Sequence, residues 1–251
     1  MFDFTRILTL ESRLRYRGWQ LLGRGFPVKL ETLYGERFEL RGSPKKTAKC
    51  LNNDYGVAWE IFINNVYEEA LKLASSRVDY VVDIGSNVGY SIIRWMAAFP
   101  NAKILGYEPH PANFCQAVHN IQMNPCFERV ELINGGAGSS DRIIYLSDAG
   151  ASSRIVESNH GINAAIIDVF PRLMTQRIDL MKLDAEGAEY ELLADPRMNL
   201  LDVRALIMEW HAVCGYSDKD WCYRRLIELG YTVKVLEDVG DHGTLWAIKN
   251  Q

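Results

Sequence analysis

The chain has 251 residues, 48% hydrophobic and 24% charged, with a formal net charge of −4. These values suit a soluble globular protein with a sizeable core and exclude a disordered or fibrous chain. The acidic balance argues against nucleic acid as a partner, and five cysteines without CxxC spacing fit reduced thiols in a cytoplasmic protein.

No apolar run approaches the ~20 residues that cross a bilayer, and the opening MFDFTRILTLESRLRYRGWQLLGRG lacks the uninterrupted apolar stretch of a signal peptide. Its pattern is helical, with Phe4, Ile7, Leu8, Leu14 and Leu21 on one apolar side. Arg6, Arg13, Arg15, Arg17 and Arg24 surround that side, and Gly23, Gly25 and Pro27 close the helix. A basic amphipathic helix can lie on an anionic membrane, but packing on its own domain is the commoner cause of the pattern and is preferred here. VKLETLYGERFELRG alternates around Tyr34-Gly35-Glu36 and predicts a hairpin. GVAWEIFINNVYEEALKLASS then places Trp59, Ile63, Val66, Ala70 and Leu73 at helical spacing. Residues 1–75 are thus expected to form a helix, hairpin and helix extension packed on a main domain at 76–251.

From Val78 the order becomes regular: strand 79–84, helix 89–99, strand 103–108, helix 111–123, strand 129–134. DRIIYLS and INAAIID read as extra short strands around the Gly/Ser-rich loop 147–161. Strand 178–183, helix 187–194, strand 203–210 and helix 218–229 follow, and DVGDHG separates two last strands. Alternation of this kind predicts an α/β, Rossmann-like fold with a mostly parallel sheet, ending in an antiparallel hairpin.

Ligands of open α/β sheets bind outside the carboxyl ends of the strands, so the turn in VDYVVDIGSNVGYS is the place to look. There Gly85 and Gly89 allow close backbone approach, with Asp83 and Asn87 as polar partners. Glu108 ends the next strand in AKILGYEPHP, where a carboxylate accepts hydrogen bonds from vicinal ribose hydroxyls; Pro109 and Pro111 shape the turn behind it. Two acids that merely cap helices would explain either residue alone, less well both at successive strand ends. A dinucleotide fingerprint fails in register, because Asn87 and Tyr90 stand where GxGxxG needs glycine. A nicotinamide oxidoreductase is therefore disfavoured.

Four ordered blocks, VVDIGSNVGYS, GYEPHPANF, IDLMKLDAEGAEYELL and ALIMEWH, resemble the FkbM-type class I methyltransferases over Val78 to His211. That resemblance implies S-adenosyl-L-methionine as cofactor. It also implies that Asp83, Gly85, Asn87 and Gly89 line the methionine moiety, that Glu108, with Pro109 beside it, holds the ribose, and that Gly136 and Ala137 of NGGAG pass near the adenine. It further implies O-methylation of a hydroxyl on a sugar, glycan or polyketide-like metabolite. N-methylation of a small molecule is the close alternative, and a nucleoside-binding protein without activity is the alternative of another class.

Methyl transfer from a sulfonium is an in-line displacement in which the protein aligns the acceptor and removes its proton. Lys182 and Asp184 share one side of a strand, Glu186 lies in the following turn, and Glu189 opens the next helix. Glu209 and His211 repeat the arrangement one strand later. His211 or Asp184 is read as the base, Glu186 as positioning substrate, and Lys182 with Glu209 as an ion pair that is structural at least as readily as catalytic. Asp184, Glu186 and His211 also make a set that a divalent cation uses, a minority reading because nothing else in the sequence points to a metal. Asp168 is read as a loop acid that is solvated rather than approaching the cofactor pocket.

Overall fold

The computed structural model describes residues 4–22, 27–42, 54–147, 161–212 and 219–250. Gly23 and Gly25, most of the loop 147–161, Cys50 and Cys214 lie outside the described residues. A short 3-10 turn at Phe4–Arg6 leads into α1 (Leu10–Leu22), the hairpin β1 (Val28–Glu31) and β2 (Arg37–Leu40), α2 (Tyr55–Phe62) and α3 (Glu68–Leu71). The main domain continues with β3 (Tyr80–Ile84), α4 (Tyr90–Ala98), β4 (Lys103–Tyr107), α5 (Pro111–Gln122), β5 (Val130–Ile133), β6 (Gly136–Gly138), β7 (Arg142–Leu146) and β8 (Ile162–Asp168). It closes with α6 (Phe170–Leu173), β9 (Leu180–Leu183), α7 (Glu189–Ala194), β10 (Ala205–His211), α8 (Lys219–Glu228), β11 (Tyr231–Asp238) and β12 (His242–Lys249).

Seven strands form one sheet in the order β11-β12-β10-β9-β3-β4-β5. The five strands from β10 to the edge strand β5 are parallel, and β12 enters antiparallel between β10 and β11. The chain therefore leaves β3 toward β4 and β5, then returns on the other side of β3 with β9 and β10. That reversal leaves a crevice at the carboxyl ends of β3, β4 and β9. β6, β7 and β8 make a separate small sheet beside it.

Successive side chains of the central strands serve opposite faces. Val81, Ile104, Leu180 and Ile207 pack with α4, α5 and the N-terminal segments, whereas Val82, Leu105, Met181 and Met208 pack with residues of α6, α7 and α8. The extension shares the first of these cores: Phe38 stacks on Phe62 at 4.5 Å and meets Tyr90 at 5.3 Å. Polar ties reinforce it, since Asn120 and Asn124 of the α5 region accept from the backbone N–H groups of Glu39 and Arg37, each at 2.8 Å.

Two expectations for the extension are corrected. Of the apolar side expected for the first segment, Phe4 and Leu8 are buried and Ile7 packs on the core, but Leu14 and Leu21 are 64% and 86% exposed, and Ser12, Tyr16 and Trp19 face the core in their place. Aromatic rings outweigh leucine periodicity here: Trp19 stacks on Tyr16 and on Tyr55 of α2. The single helix expected from Gly56 to Ser76 is broken between α2 and α3, where Asn64-Asn65 interrupts the pattern and Asn65 adopts φ 52°. The left-handed region is one that asparagine tolerates and β-branched residues avoid.

Candidate functional site

The turn after β3 is built by backbone necessity. A Cβ on Gly85 would stand 1.6 Å from the carbonyl oxygen of Asp184, and Gly85 has φ +80°, so only glycine lets the tip of β3 pass the tip of β9. Gly85 and Ser86 donate their N–H groups to the Tyr107 carbonyl at 3.0 and 2.9 Å. From the other side the buried Lys182 ammonium donates to the Gly85 carbonyl. Glu108 then links this turn to its own: Asn87 N–H donates to Oε2 at 2.8 Å and His110 N–H to Oε1 at 2.9 Å. Burial pushes the Glu108 carboxyl up to about 7, against the pull of those two N–H groups.

A cavity of about 600 Å³ opens over these turns, within the range of small-molecule sites. At one end it is apolar, walled by Pro109, Gly136, Ala137, Ile144, Leu146 and Ile166, the surface a planar base needs. Its middle carries Gly85, Asn87 and Glu108. Each Glu108 oxygen has further lone-pair capacity beyond its one backbone donor. Asn87 Oδ1 is buried without a hydrogen-bond partner, an acceptor suited to a donor on a ligand. These residues fit an adenosyl amino acid with its base at the apolar end and its ribose at Glu108.

Of the residues singled out in the sequence, Gly85, Asn87, Glu108, Pro109, Gly136, Ala137, Asp184, Glu186 and His211 all line this one cavity. Asp83 and Gly89 do not. Asp83 is fully buried behind the wall, accepting from Trp95 Nε1 at 2.7 Å and lying 3.8 Å from Lys182 Nζ. Gly89 caps α4 with φ +82° and has room for a Cβ only 3.1 Å from Ala117, so it serves helix packing. Asp83 thus supports the turn after β3 from behind. Asp168 is not a solvated acid: it ends β8 and meets Arg197 Nη1 at 2.7 Å.

At the far end β9 and β10 deliver the acids and the imidazole. Period-two alternation points Ile207, Glu209 and His211 into the cavity while Met208 and Trp210 go to the opposite core. His211 Nε2 lies 3.9 Å from Glu186 and 3.7 Å from Glu209, and Nδ1 lies 3.6 Å from Glu189. Burial disfavours the imidazolium, but Glu189, Asp184 and Glu186 outweigh it and raise His211 above its ordinary value. Burial, then the charge of Asp184, raises Glu209 as well. Glu209 and His211 thus titrate as a pair, and at neutral pH that pair holds protons that the free side chains would have lost.

The expected Lys182–Glu209 ion pair is not made. Lys182 pairs with Asp184 at 3.1 Å and Asp83 at 3.8 Å, because β9 neighbours β3 and its ammonium is drawn to the Gly85 turn. Asp184, Glu189 and His211 can each offer one atom within 4.8 Å of the others, enough to hold a divalent cation. Both Glu189 oxygens, however, already accept backbone N–H groups, from Ala185 and Gly187.

Sequence reasoning missed the rest of the lining. Trp59, Glu60, Asn64 and Tyr67 come from the extension, and Glu237, His242 and Thr244 from the last hairpin. One signal was present: Glu60 interrupts the apolar run VAWEIF, and a lone acid there marks a side facing something polar. Burial, with Asp184 and Glu237 nearby, raises Glu60. Glu237 reaches the cavity because the β11–β12 register shifts after Val235, a bulge that re-aims the strand.

A central parallel sheet with an inserted antiparallel strand, and a cavity over the first two strand tips, define a class I methyltransferase. The family described as "Methyltransferase FkbM domain" matches residues 83–233, and the chain belongs to that family. Membership implies S-adenosyl-L-methionine as methyl donor. Two fungal relatives are each 27% identical: "Methyltransferase 1" of Beauveria bassiana over 176 aligned positions, covering 57% of this chain and 68% of the relative, and "Methyltransferase sdnD" of Sordaria araneosa over 172, covering 53% and 65%. Among solved structures, methyltransferase FkbM from Methylobacillus flagellatus has a TM-score of 0.49 and 15% identity, over 68% of this chain and 43% of that one. A precorrin-6y C5,15-methyltransferase from Geobacter metallireducens has the same score and identity, over 81% and 93%.

Proposed function

We propose that the protein transfers the methyl group of S-adenosyl-L-methionine to a hydroxyl of a sugar, glycan or polyketide-like metabolite. The observation that carries this reading is one continuous cavity, lined by Asn87 and Glu108 in its middle and by Asp184, Glu186, Glu209 and His211 at its far end. The bound cofactor supplies an electrophilic methyl carbon on sulfur. Glu108 orients the ribose, Gly85 and Asn87 hold the amino-acid end, and Gly136 and Ala137 pass the base. Glu186 positions the acceptor. Asp184, or the Glu209–His211 pair once it has lost a proton, takes up the hydroxyl proton as the oxygen attacks in line.

A second reading, transfer to nitrogen, is favoured by the carboxylates of Glu60, Asp184, Glu186, Glu209 and Glu237 at the acceptor end. Incubation with labelled S-adenosyl-L-methionine and a panel of glycans, polyols and amines tests both. Label in an ether supports the first reading and label in an amine the second. Failure to bind the cofactor in calorimetry overturns both.

A further inference from the structure

We propose that the exposed face of α1 docks the enzyme on an anionic lipid surface. Leu10, Leu14 and Leu21 are 74%, 64% and 86% exposed. At 3.6 residues per turn they share one narrow side of the helix with Arg17. Ser12, Tyr16 and Trp19 occupy the opposite, buried side. The helix is therefore apolar on two sides, and its own domain covers only one. Leu33 and Tyr34, 59% and 74% exposed at the tip of the β1–β2 hairpin, stand beside the start of α1, because the Leu33 N–H donates to the Ile7 carbonyl.

Charge selects the partner. The whole chain carries −4, yet residues 1–25 hold five arginines against Asp3 and Glu11. Arg17 stands among the leucines and Arg13 flanks them, while Arg15, exposed further round the helix, pairs with Glu11. Leucines flanked by arginines match the acyl boundary and phosphate layer of an anionic membrane. No helix among the described residues is long and apolar enough to cross a membrane, so the contact is peripheral. Docking also bears on the cavity. Trp19 stacks on Tyr55 at 6.4 Å and Tyr16 Oη lies 3.3 Å from Tyr55 Oη. Tyr55 opens α2, whose next residues, Gly56 and Val57, line the cavity wall. The lipid-facing helix thus stands directly behind that wall.

The test is co-sedimentation of the full chain with phosphatidylcholine vesicles and with vesicles in which part of that lipid is replaced by phosphatidylserine. The expected result is pelleting with the anionic vesicles alone. Arg15→Gln with Arg17→Gln should weaken it by roughly fivefold per charge removed, and Leu10→Ser with Leu14→Ser and Leu21→Ser should abolish it. These positions are exposed, so thermal melting of the variants should match the wild type, which separates lost docking from lost folding. Equal pelleting of wild type and the leucine variant overturns the proposal, as does failure of the wild type to pellet. So does a wild-type dimer in analytical ultracentrifugation that the leucine variant turns into a monomer, which would make this face a self-interface. The outcome is independent of the methyl acceptor.

Discussion

The two ends of the cavity are built by different means. The proposed ribose and amino-acid part of the cofactor site comes from neighbouring strand tips, β3 and β4, whose turns are only about twenty residues apart in sequence and are locked by bonds to Tyr107 and Glu108. The acceptor end gathers Glu60, Glu186, Glu209, His211, Glu237 and His242 from four distant stretches of chain. Glu60 and Glu209 there are raised by burial and by the charge of Asp184. A ligand common to a whole family can be held by local, rigid geometry. A ligand particular to one enzyme is met by segments free to vary on the same scaffold.

That contrast can be broken at its rigid end first. Gly85→Ala must force a Cβ into the Asp184 carbonyl at positive φ, and we expect a loss on the order of 3 kcal/mol or more in denaturant melts together with loss of cofactor binding. A stable Gly85→Ala protein with normal binding would refute the rigidity of the turn. At the acceptor end, Glu209→Gln or His211→Ala should cut kcat by about 100-fold while leaving cofactor affinity within about threefold, as read by single-turnover assays and calorimetry. Equal losses in both quantities would show that the two ends are not separable. Glu108→Ala should do the reverse, weakening the cofactor and its demethylated product by about 10- to 100-fold.

The electrostatic half of the contrast is sharpened by pH. Glu108, Glu209, Glu60 and His211 all have raised values, so the folded protein without ligand binds more protons than the unfolded chain. Stability is then fully present below the ordinary carboxylate range and falls as pH climbs through about 7 and above. Glu108 alone accounts for roughly 3 kcal/mol of that fall. Melting curves between about pH 5 and about pH 8 should decline for the wild type, with a shallower decline for Glu108→Gln. A flat wild-type profile would contradict the raised values. The smallest expected effect is that of Glu60→Gln, a change of a few-fold in acceptor KM with cofactor affinity unchanged.

The same division decides what could be read from the sequence. The order of the sheet, the glycine turn, Glu108 and the pair Glu209–His211 were legible because strand alternation and turn chemistry are local. Asp83 was located on its strand but not in depth, since nothing in DIGSNVG tells that Trp95, a turn of helix later, claims its carboxylate. Lys182 was assigned to Glu209 because neighbouring strands were judged by chain order, whereas β9 lies against β3 as well as β10. The contribution of α2 and the β11–β12 bulge stayed hidden, because both depend on which distant segment closes the crevice.

The contact between the Gly85 backbone and the Asp184 carbonyl has a mechanical consequence. Two loops that meet without a side chain between them cannot shift separately, so a cofactor that settles its own turn also settles the start of the loop carrying Glu186. Order of addition should then matter kinetically, with the methyl donor entering ahead of its acceptor and leaving, demethylated, after the product.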